Sequence, residues 1–204
     1  MLMGKILSYS FYKQDTRKVA EELLGKLLVR RIGKNRLSGV IVETEAYRGF
    51  SDTASHAHKG PTERCKVMYG EGGFAYIYFT YGMYNMFNVV TERRWFPSAV
   101  LVRAIEPIEG KEEMFKYRKV KREVELTNGP GKLTQALHID RSLNGEDLVK
   151  GGNIFIEIPN KKITASTRNF KIGKSKRVGI DYADQSSKSR KWRFFIKDNK
   201  FISK

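Results

Sequence analysis

The sequence predicts a single α+β domain built around a mostly antiparallel sheet. Two hairpins carry this prediction, because β-branched and aromatic residues run through 26–32 and 36–47, and again through 74–80 and 85–91, on either side of short turns. Helical patterns lie outside these hairpins. The 204 residues contain no internal repeat and no linker, so residues 1–204 are expected to form one domain.

The remaining elements follow in order along the chain. A helix is expected at 16–24, where Asp15 can cap its start and Gly25 can end it. Residues 48–73 are rich in Gly, Ser and Thr, and a loop of this length inside a domain is usually functional or mobile. Further strands are expected at 98–105, 153–158 and 192–196, and further helices at 107–119 and from 128 onward.

The net positive charge is the most informative feature of the composition. The 39 Lys and Arg residues outnumber the 22 Asp and Glu residues, which leaves a formal charge of +17. Residues 168–204 hold 12 basic and 3 acidic residues, so much of the excess is concentrated there. Such an excess indicates a polyanionic partner, most often nucleic acid. A lysine-rich proteome from an AT-rich genome would give similar totals.

Several classes of protein are disfavoured by the sequence. No apolar run approaches the roughly 18 residues that span a bilayer, and the N-terminus lacks the apolar core and cleavage site of a signal peptide. The single cysteine, Cys65, fits a reducing cytoplasm and cannot form an internal disulfide. It also cannot supply a cysteine-based zinc site or an iron–sulfur cluster. We therefore expect a cytoplasmic protein without a membrane partner.

Acidic side chains interrupt the apolar strand at 36–47. Ile41, Glu43, Glu45 and Tyr47 are expected to share one face, because side chains alternate along a strand. Arg103 has apolar neighbours on its own strand, so its guanidinium is expected to be partly buried and to need a carboxylate, for which Glu45 is the natural candidate. This pair is either an inter-strand salt bridge without a catalytic role or part of a functional site.

Large side chains occupy a hairpin tip, where small turn residues are usual. Tyr81, Met83 and Tyr84 lie at this tip. Exposed aromatics in a basic protein suit stacking on bases or wedging between them, although the tip could instead fold back onto the core. His56, in the long loop, is either a hydrogen-bonded structural residue or a catalytic one.

Several blocks of the sequence together resemble the alkyladenine (3-methyladenine) DNA glycosylase family. They are VETEAY, SHA, YIYFTYGMYNMFNVV, VLVRAIEP and GPGKLTQAL, followed by KRVGIDYA and WRFFI. The resemblance extends over about residues 12–203. It implies a compact fold with a curved antiparallel sheet and a protruding hairpin that enters DNA. The implied activity is the excision of alkylated or deaminated purines by hydrolysis of the N-glycosidic bond.

The resemblance also implies a role for each matched position. Glu45 falls on the general base that activates the attacking water, and Arg103 on the arginine that helps to hold that water. The positions matched to base binding are Tyr47, His56, Tyr78, Asn88 and Leu101. The positions matched to DNA binding are Arg64, Tyr81, Met83, Tyr84, Lys132 and Arg177.

Within these sets the implied roles differ. Tyr47 and His56 would lie on one side of the flipped base and Tyr78 on the other. Asn88 would form the pocket floor and disfavour the exocyclic amine of normal guanine. Tyr81 would fill the gap left in the duplex. Glu43 acquires no role from the resemblance and is expected to give structural support.

The implied partner is double-stranded DNA that contains damaged purines. The resemblance implies no cofactor and no metal, and we expect a monofunctional, monomeric enzyme that associates with the bacterial nucleoid through DNA. Glu63 and Cys65 stand where bacterial relatives tend to have Pro and Thr, and the polar segment 184–191 could be disordered without DNA. The alternatives are a nucleic-acid-binding protein without catalysis and a metal-dependent nuclease using Glu43 and Glu45.

Overall fold

The computed structural model describes residues 4–160 and 170–203. The helices in these ranges are α1 (Tyr9–Tyr12), α2 (Thr16–Glu22), α3 (Lys111–Tyr117), α4 (Pro130–Ala136) and α5 (Gln185–Ser189). The strands are β1 (Lys5–Ile6), β2 (Leu27–Ile32), β3 (Asn35–Arg48), β4 (Ala75–Thr80), β5 (Tyr84–Val90), β6 (Ser98–Glu109), β7 (Ile154–Ile158), β8 (Ile172–Ser175) and β9 (Arg193–Ile196). None of the helices found there is long and apolar enough to cross a bilayer.

One open sheet contains all nine of these strands. Its main path runs β1-β7-β2-β3-β6-β5-β4, and β9 adds to β3 with β8 beside it. Each strand pair in the described ranges is antiparallel. The predicted α+β fold with a mostly antiparallel sheet is therefore confirmed, and so are the hairpins β2–β3 and β4–β5. The curvature of the sheet and the insertion of a hairpin into DNA remain predictions.

Helix α2, which begins at Thr16 as predicted and ends at Glu22, packs against the central strands β3 and β6. The carboxylate of Asp15 accepts a hydrogen bond from the backbone N–H of Arg17, and the buried side chains of Val19 and Ala20 face the core. Gly25 adopts the left-handed backbone (φ +79°) that ends such a helix without strain. The hydroxyl of Thr44 on β3 donates to the carbonyl of Ala20, which ties the helix to the strand.

The pairing of β3 with β6 is irregular where the acidic residues lie. The register shifts between Ile41 and Glu43 and again between Glu43 and Thr44, and Arg103 has no Cα partner in this ladder. Ile41, which precedes the irregularity, packs in the main hydrophobic core. Glu43, which lies between the two shifts, is buried as a charged residue beside Arg103. A bulge re-aims side chains, so strict alternation does not describe this strand.

One predicted element differs from the structure, and one segment whose order was left open contains a helix. Pro107 does not open a helix, because β6 continues to Glu109 and α3 begins at Lys111. Proline is tolerated in this strand beside a shift of register between Ser38 and Gly39, where the ladder is already interrupted. Segment 184–191 contains helix α5, whose first turn is capped by the Asp184 carboxylate.

Candidate active site

A cavity of about 260 Å³ opens at the junction of β4, β5 and β6 with the end of β3. Loop residues around positions 54–56 and 178–182 complete its wall. Six of the residues predicted for base binding or catalysis line this cavity together: Tyr47, His56, Tyr78, Asn88, Leu101 and Arg103. The register explains part of this grouping, because Leu101 on the central strand β6 pairs with both Glu45 and Asn88.

The carboxylate of Glu45 lies directly behind this wall and is fully buried. Its Oε2 accepts a hydrogen bond of 2.8 Å from the Tyr47 hydroxyl, and its Oε1 accepts one of 2.8 Å from the backbone N–H of Val178. Arg103 Nη1 lies 3.3 Å from Oε1. Burial raises the pKa of Tyr47 well above its usual range, and the charge of Glu45 adds to this. The phenol therefore stays protonated at neutral pH and remains a donor to Glu45.

Four charged side chains form a buried or half-buried group here, which we call the ion cluster: Glu43, Glu45, Arg103 and Arg193. Arg103 approaches both carboxylates, but its hydrogen bond, of 3.0 Å from Nε, goes to Glu43. The expected ion pair of Arg103 with Glu45 is therefore present, but it is the longer of the two contacts that Arg103 makes with carboxylates. Burial opposes the charge of Arg103, but Glu45 and Glu43 outweigh it and raise the pKa of the guanidinium.

His56 and Tyr78 form an aromatic wall of the cavity. Their rings meet edge to face with centroids 4.5 Å apart, and His56 Nδ1 lies 3.1 Å from the Tyr76 hydroxyl. Burial lowers the pKa of His56 to about 4, with a further contribution from Arg64. The imidazole is therefore neutral at pH 7. The guanidinium of Arg64 lies 4.9 Å from the centre of the Tyr78 ring, so this predicted DNA contact stands at the edge of the cavity.

Asn88 lines the cavity and is held in place by two hydrogen bonds. Its Nδ2 donates hydrogen bonds of 3.0 Å and 3.2 Å to the backbone carbonyls of Tyr76 and Met86. Because both amide hydrogens are engaged, the side chain cannot swing aside without breaking two hydrogen bonds.

The tip of the β4–β5 hairpin points its side chains into solvent. Tyr81 is 77% exposed and Met83 is 60% exposed, so these two side chains do not fold back onto the core. Tyr81 has a left-handed backbone (φ +53°), as does Gly82 (φ +67°), and Tyr81 also lines the mouth of the cavity. Tyr84 differs from both. It is half-buried, and a Cβ built at Gly131 of α4 would lie 2.7 Å from its ring, so it packs against that helix.

Two further residues predicted to bind DNA have partners within the protein. Arg177 is buried, and its guanidinium donates two hydrogen bonds, of 2.6 Å and 2.7 Å, to the carboxylate of Asp52. It also lies over the Tyr47 ring at 4.8 Å. This guanidinium is therefore buried and paired within the protein, whereas a DNA contact would need it at the surface. Lys132 is half-buried, and its Nζ donates to Asn128 Oδ1.

Three groups at the site were not predicted from the sequence. Val178 contributes a backbone N–H, which has no residue signature. Tyr182 lines the cavity and is 66% exposed, with its hydroxyl bound to the carbonyl of Ala54. Ser203 contacts Glu43 through both its backbone N–H and its hydroxyl. The block KRVGIDYA contained a signal for Tyr182 alone, because it matched a known family and Tyr182 acts through its side chain.

Comparisons with known proteins agree on one family. The model of the family described as methylpurine-DNA glycosylase matches residues 10–200. A protein of Clostridium novyi named "Putative 3-methyladenine DNA glycosylase" is 46% identical over 98% of this chain and 99% of its own length. Proteins of the same name from Natranaerobius thermophilus (44% identical, 97% of this chain, 98% of its own length) and Methanocella arvoryzae (46%, 98% and 96%) are similar over nearly their whole length.

Proposed function

Because the chain belongs to the methylpurine-DNA glycosylase family, we propose that it is a DNA repair glycosylase that excises alkylated or deaminated purines from double-stranded DNA. The substrates would be of the 3-methyladenine, 7-methylguanine and hypoxanthine type. One observation carries the proposal. A buried carboxylate, Glu45, is held by Tyr47 and Arg103 against the wall of an aromatic cavity.

The shape of the site supports base flipping. An enzyme that acts on a base inside a duplex has to rotate that base out of the stack into a pocket. The cavity offers such a pocket, and the exposure of Tyr81 beside it supports the proposal that this side chain fills the gap that the base leaves. Met83 and Arg64 lie on the exposed surface near it, which supports their predicted contacts with DNA.

The aromatic wall supports selection of alkylated purines. Alkylation at a purine ring nitrogen such as N3 or N7 leaves the base cationic and makes it a good leaving group. A cation over an aromatic face gains roughly 0.5–2 kcal/mol, and the aromatic side chains of Tyr47 and Tyr78 line the cavity. His56, neutral at pH 7, does not repel a cationic base. The fixed amide of Asn88 in the floor supports the exclusion of normal guanine by its exocyclic amine.

The surroundings of Glu45 support activation of water. Among the described residues, Oε2 accepts one hydrogen bond, from Tyr47, so it keeps an acceptor position for a water hydrogen. In the proposed reaction the water oxygen bonds to C1′ of the sugar while the N-glycosidic bond breaks. The purine leaves with the bonding electron pair, and Glu45 takes a proton from the water. Arg103, which lines the cavity next to Glu45, would hold the water in place.

Hydrolysis without a covalent intermediate fits the cavity lining. A glycosylase that also cleaves the strand usually attacks the sugar with an amine. The described residues that line this cavity include no lysine. We therefore propose a monofunctional enzyme. In keeping with the family resemblance, we also propose that it is monomeric, needs neither a cofactor nor a metal and acts wherever the cell's DNA lies.

A base-release assay tests this proposal. The protein is incubated with a labelled duplex that carries one hypoxanthine or one alkylated purine, in parallel reactions with and without EDTA, and strand scission is measured before and after alkali. We expect scission only after alkali, because base loss leaves an alkali-labile site. Release of no base from any of these lesions would contradict the proposal and favour nucleic-acid binding without catalysis. Scission without alkali that disappears in EDTA would instead indicate a metal-dependent nuclease.

A further inference from the structure

Glu43 is the most heavily engaged carboxylate of the ion cluster, although neither the family resemblance nor the proposed reaction gives it a part. Its Oε1 accepts hydrogen bonds from Arg193 Nε at 2.6 Å, from the Ser203 hydroxyl at 2.8 Å and from Arg103 Nε at 3.0 Å. Its Oε2 accepts the backbone N–H of Ser203 at 2.6 Å. Four donors thus converge on one side chain that is fully buried. Such a group has a fixed position.

The orientation of Arg103 follows from Glu43 and Ser203. Its Nε donates to Glu43 and lies within hydrogen-bonding distance of the Ser203 hydroxyl, and its Nη2 donates to the same hydroxyl. The contact with Glu45, at 3.3 Å from Nη1, is an ion pair without hydrogen-bond geometry. One edge of the planar guanidinium is therefore bound to Glu43 and Ser203. The Nη1 corner is left to face Glu45 and the cavity.

Charge balance in the ion cluster depends on Glu43 as well. Two carboxylates face two guanidinium groups, and Arg193 makes its ion pair with Glu43. Without the charge of Glu43, two buried or half-buried cations would compete for Glu45 alone. Arg103 would then be drawn towards Glu45 and away from the position in which it meets the cavity.

We propose that Glu43, together with Ser203, is a positioning residue for catalysis, which aims Arg103 at the attacking water. Glu43 touches neither the base nor the water and acts through Arg103. This inference rests on the proposed glycosylase activity, since it assigns a role within that reaction. It predicts a loss in the chemical step without a loss in DNA binding.

Single-turnover base release and lesion-duplex affinity, measured side by side, test the inference. Glu43→Gln keeps the shape of the side chain but removes its charge, and we expect release to slow by about tenfold or more, because small displacements of a positioning group cost this much. Ser203→Ala, which removes one hydroxyl, should slow release by a smaller factor. Both variants should bind the lesion duplex with a Kd within about twofold of the unmodified protein, since neither residue reaches the DNA.

Glu157→Gln is the matched control. Glu157 is also a buried carboxylate that pairs with an arginine, Arg36 at 2.6 Å, but it lies on β7 outside the ion cluster. Release at the unmodified rate is expected for this variant. A comparable loss in Glu157→Gln would overturn the inference, because the effect would then reflect general destabilisation.

Two other results would also overturn it: unmodified rates in both Glu43→Gln and Ser203→Ala, or loss of DNA affinity in step with rate. If Glu43→Gln does not fold, the inference is tested by Ser203→Ala alone, again by comparing its base-release rate with its affinity for the lesion duplex. The unmodified protein separates this inference from the proposed function. If it releases no base, the function fails, whereas a normal rate in the variants beside an active unmodified protein rejects only the role of Glu43.

Discussion

Glu45 and Tyr81 flank the same cavity at opposite extremes of exposure. Glu45 has no exposed surface and accepts hydrogen bonds from a tyrosine and a backbone amide, whereas Tyr81 is 77% exposed on a turn. A general base has to be held in one geometry, because misplacement lowers its rate. A residue that enters a duplex has to be free until DNA arrives. The difference suggests that the chemistry and the DNA contact can be disrupted separately.

The largest expected effect is a loss of base-release rate when Glu45 is changed, without a loss of DNA binding. Glu45→Gln should lower single-turnover base release by about 100-fold or more, because it removes the general base that we propose. Affinity for the lesion duplex should stay unchanged, since Glu45 has no exposed surface. Retained turnover in this variant would remove Glu45 from the general-base role.

The next expected effect is on stability. Asp52→Asn leaves the buried charge of Arg177 without its carboxylate, so we expect the free energy of unfolding to fall by about 3 kcal/mol or more in urea titrations. The exposed pair of Lys13 and Glu71 provides the control. Glu71→Gln should cost less than about 1 kcal/mol. Equal effects of the two changes would mean that the Arg177 pair is not buried in solution.

Acid should destabilise the buried aromatic wall through His56. The pKa of His56 is lowered to about 4 in the folded protein, so the unfolded chain binds the extra proton at higher pH than the folded one. The contribution of neutral His56 to the free energy of unfolding is fully present above the ordinary pKa of about 6.5. It is lost as pH falls towards about 4, and it amounts to about 1–3 kcal/mol. Urea unfolding at several pH values should show this slope, and His56→Asn should flatten it. An unchanged slope in that variant would assign the acid sensitivity to other groups.

The smallest expected effect concerns the hairpin tip. Tyr81→Ala should weaken binding of the lesion duplex by about tenfold, because one base-stacking aromatic contributes about 1–3 kcal/mol. Its unfolding free energy should change by less than about 0.5 kcal/mol, as is usual for exposed side chains. Phe79→Ala removes another exposed aromatic of the same hairpin, one that does not line the cavity, and serves as control. Equal affinities of the two variants for the lesion duplex would show that Tyr81 does not fill the gap left in the duplex by the flipped base.

The sequence was most informative where function resides in side chains on regular strands. The family motifs predicted the cavity residues of β4, β5 and β6, including Tyr78, Asn88 and Leu101. The hairpin pairing of β4 with β5 and the pairing of β5 with β6 then bring them together. The strands themselves could be predicted from local pattern, because hairpin neighbours in the sheet follow from neighbours in the chain.

The sequence was least informative where a contact joins distant parts of the chain. Arg177 lies in a basic segment and looked like a DNA contact, but its carboxylate partner Asp52 is 125 positions away. Glu43 and Ser203 are separated by 160 positions. The irregular β3–β6 register that brings Glu43 to Arg103 has no sequence signature either. Charge totals could not separate arginines that face solvent from those that neutralise buried carboxylates.

Strand β9 makes completion of the site depend on the order in which the chain is synthesised. It pairs with Glu43, Thr44 and Glu45 of β3, and Phe201 just beyond it is buried in the core. The segment of β3 that carries Glu43 and Glu45 is thus synthesised early. Its partner strand β9 is synthesised some 150 residues later. During synthesis, which runs from the N-terminus, a nascent chain can form the β2–β3 hairpin but not the finished site. Activity should therefore begin only after residues 193–203 have left the ribosome and docked.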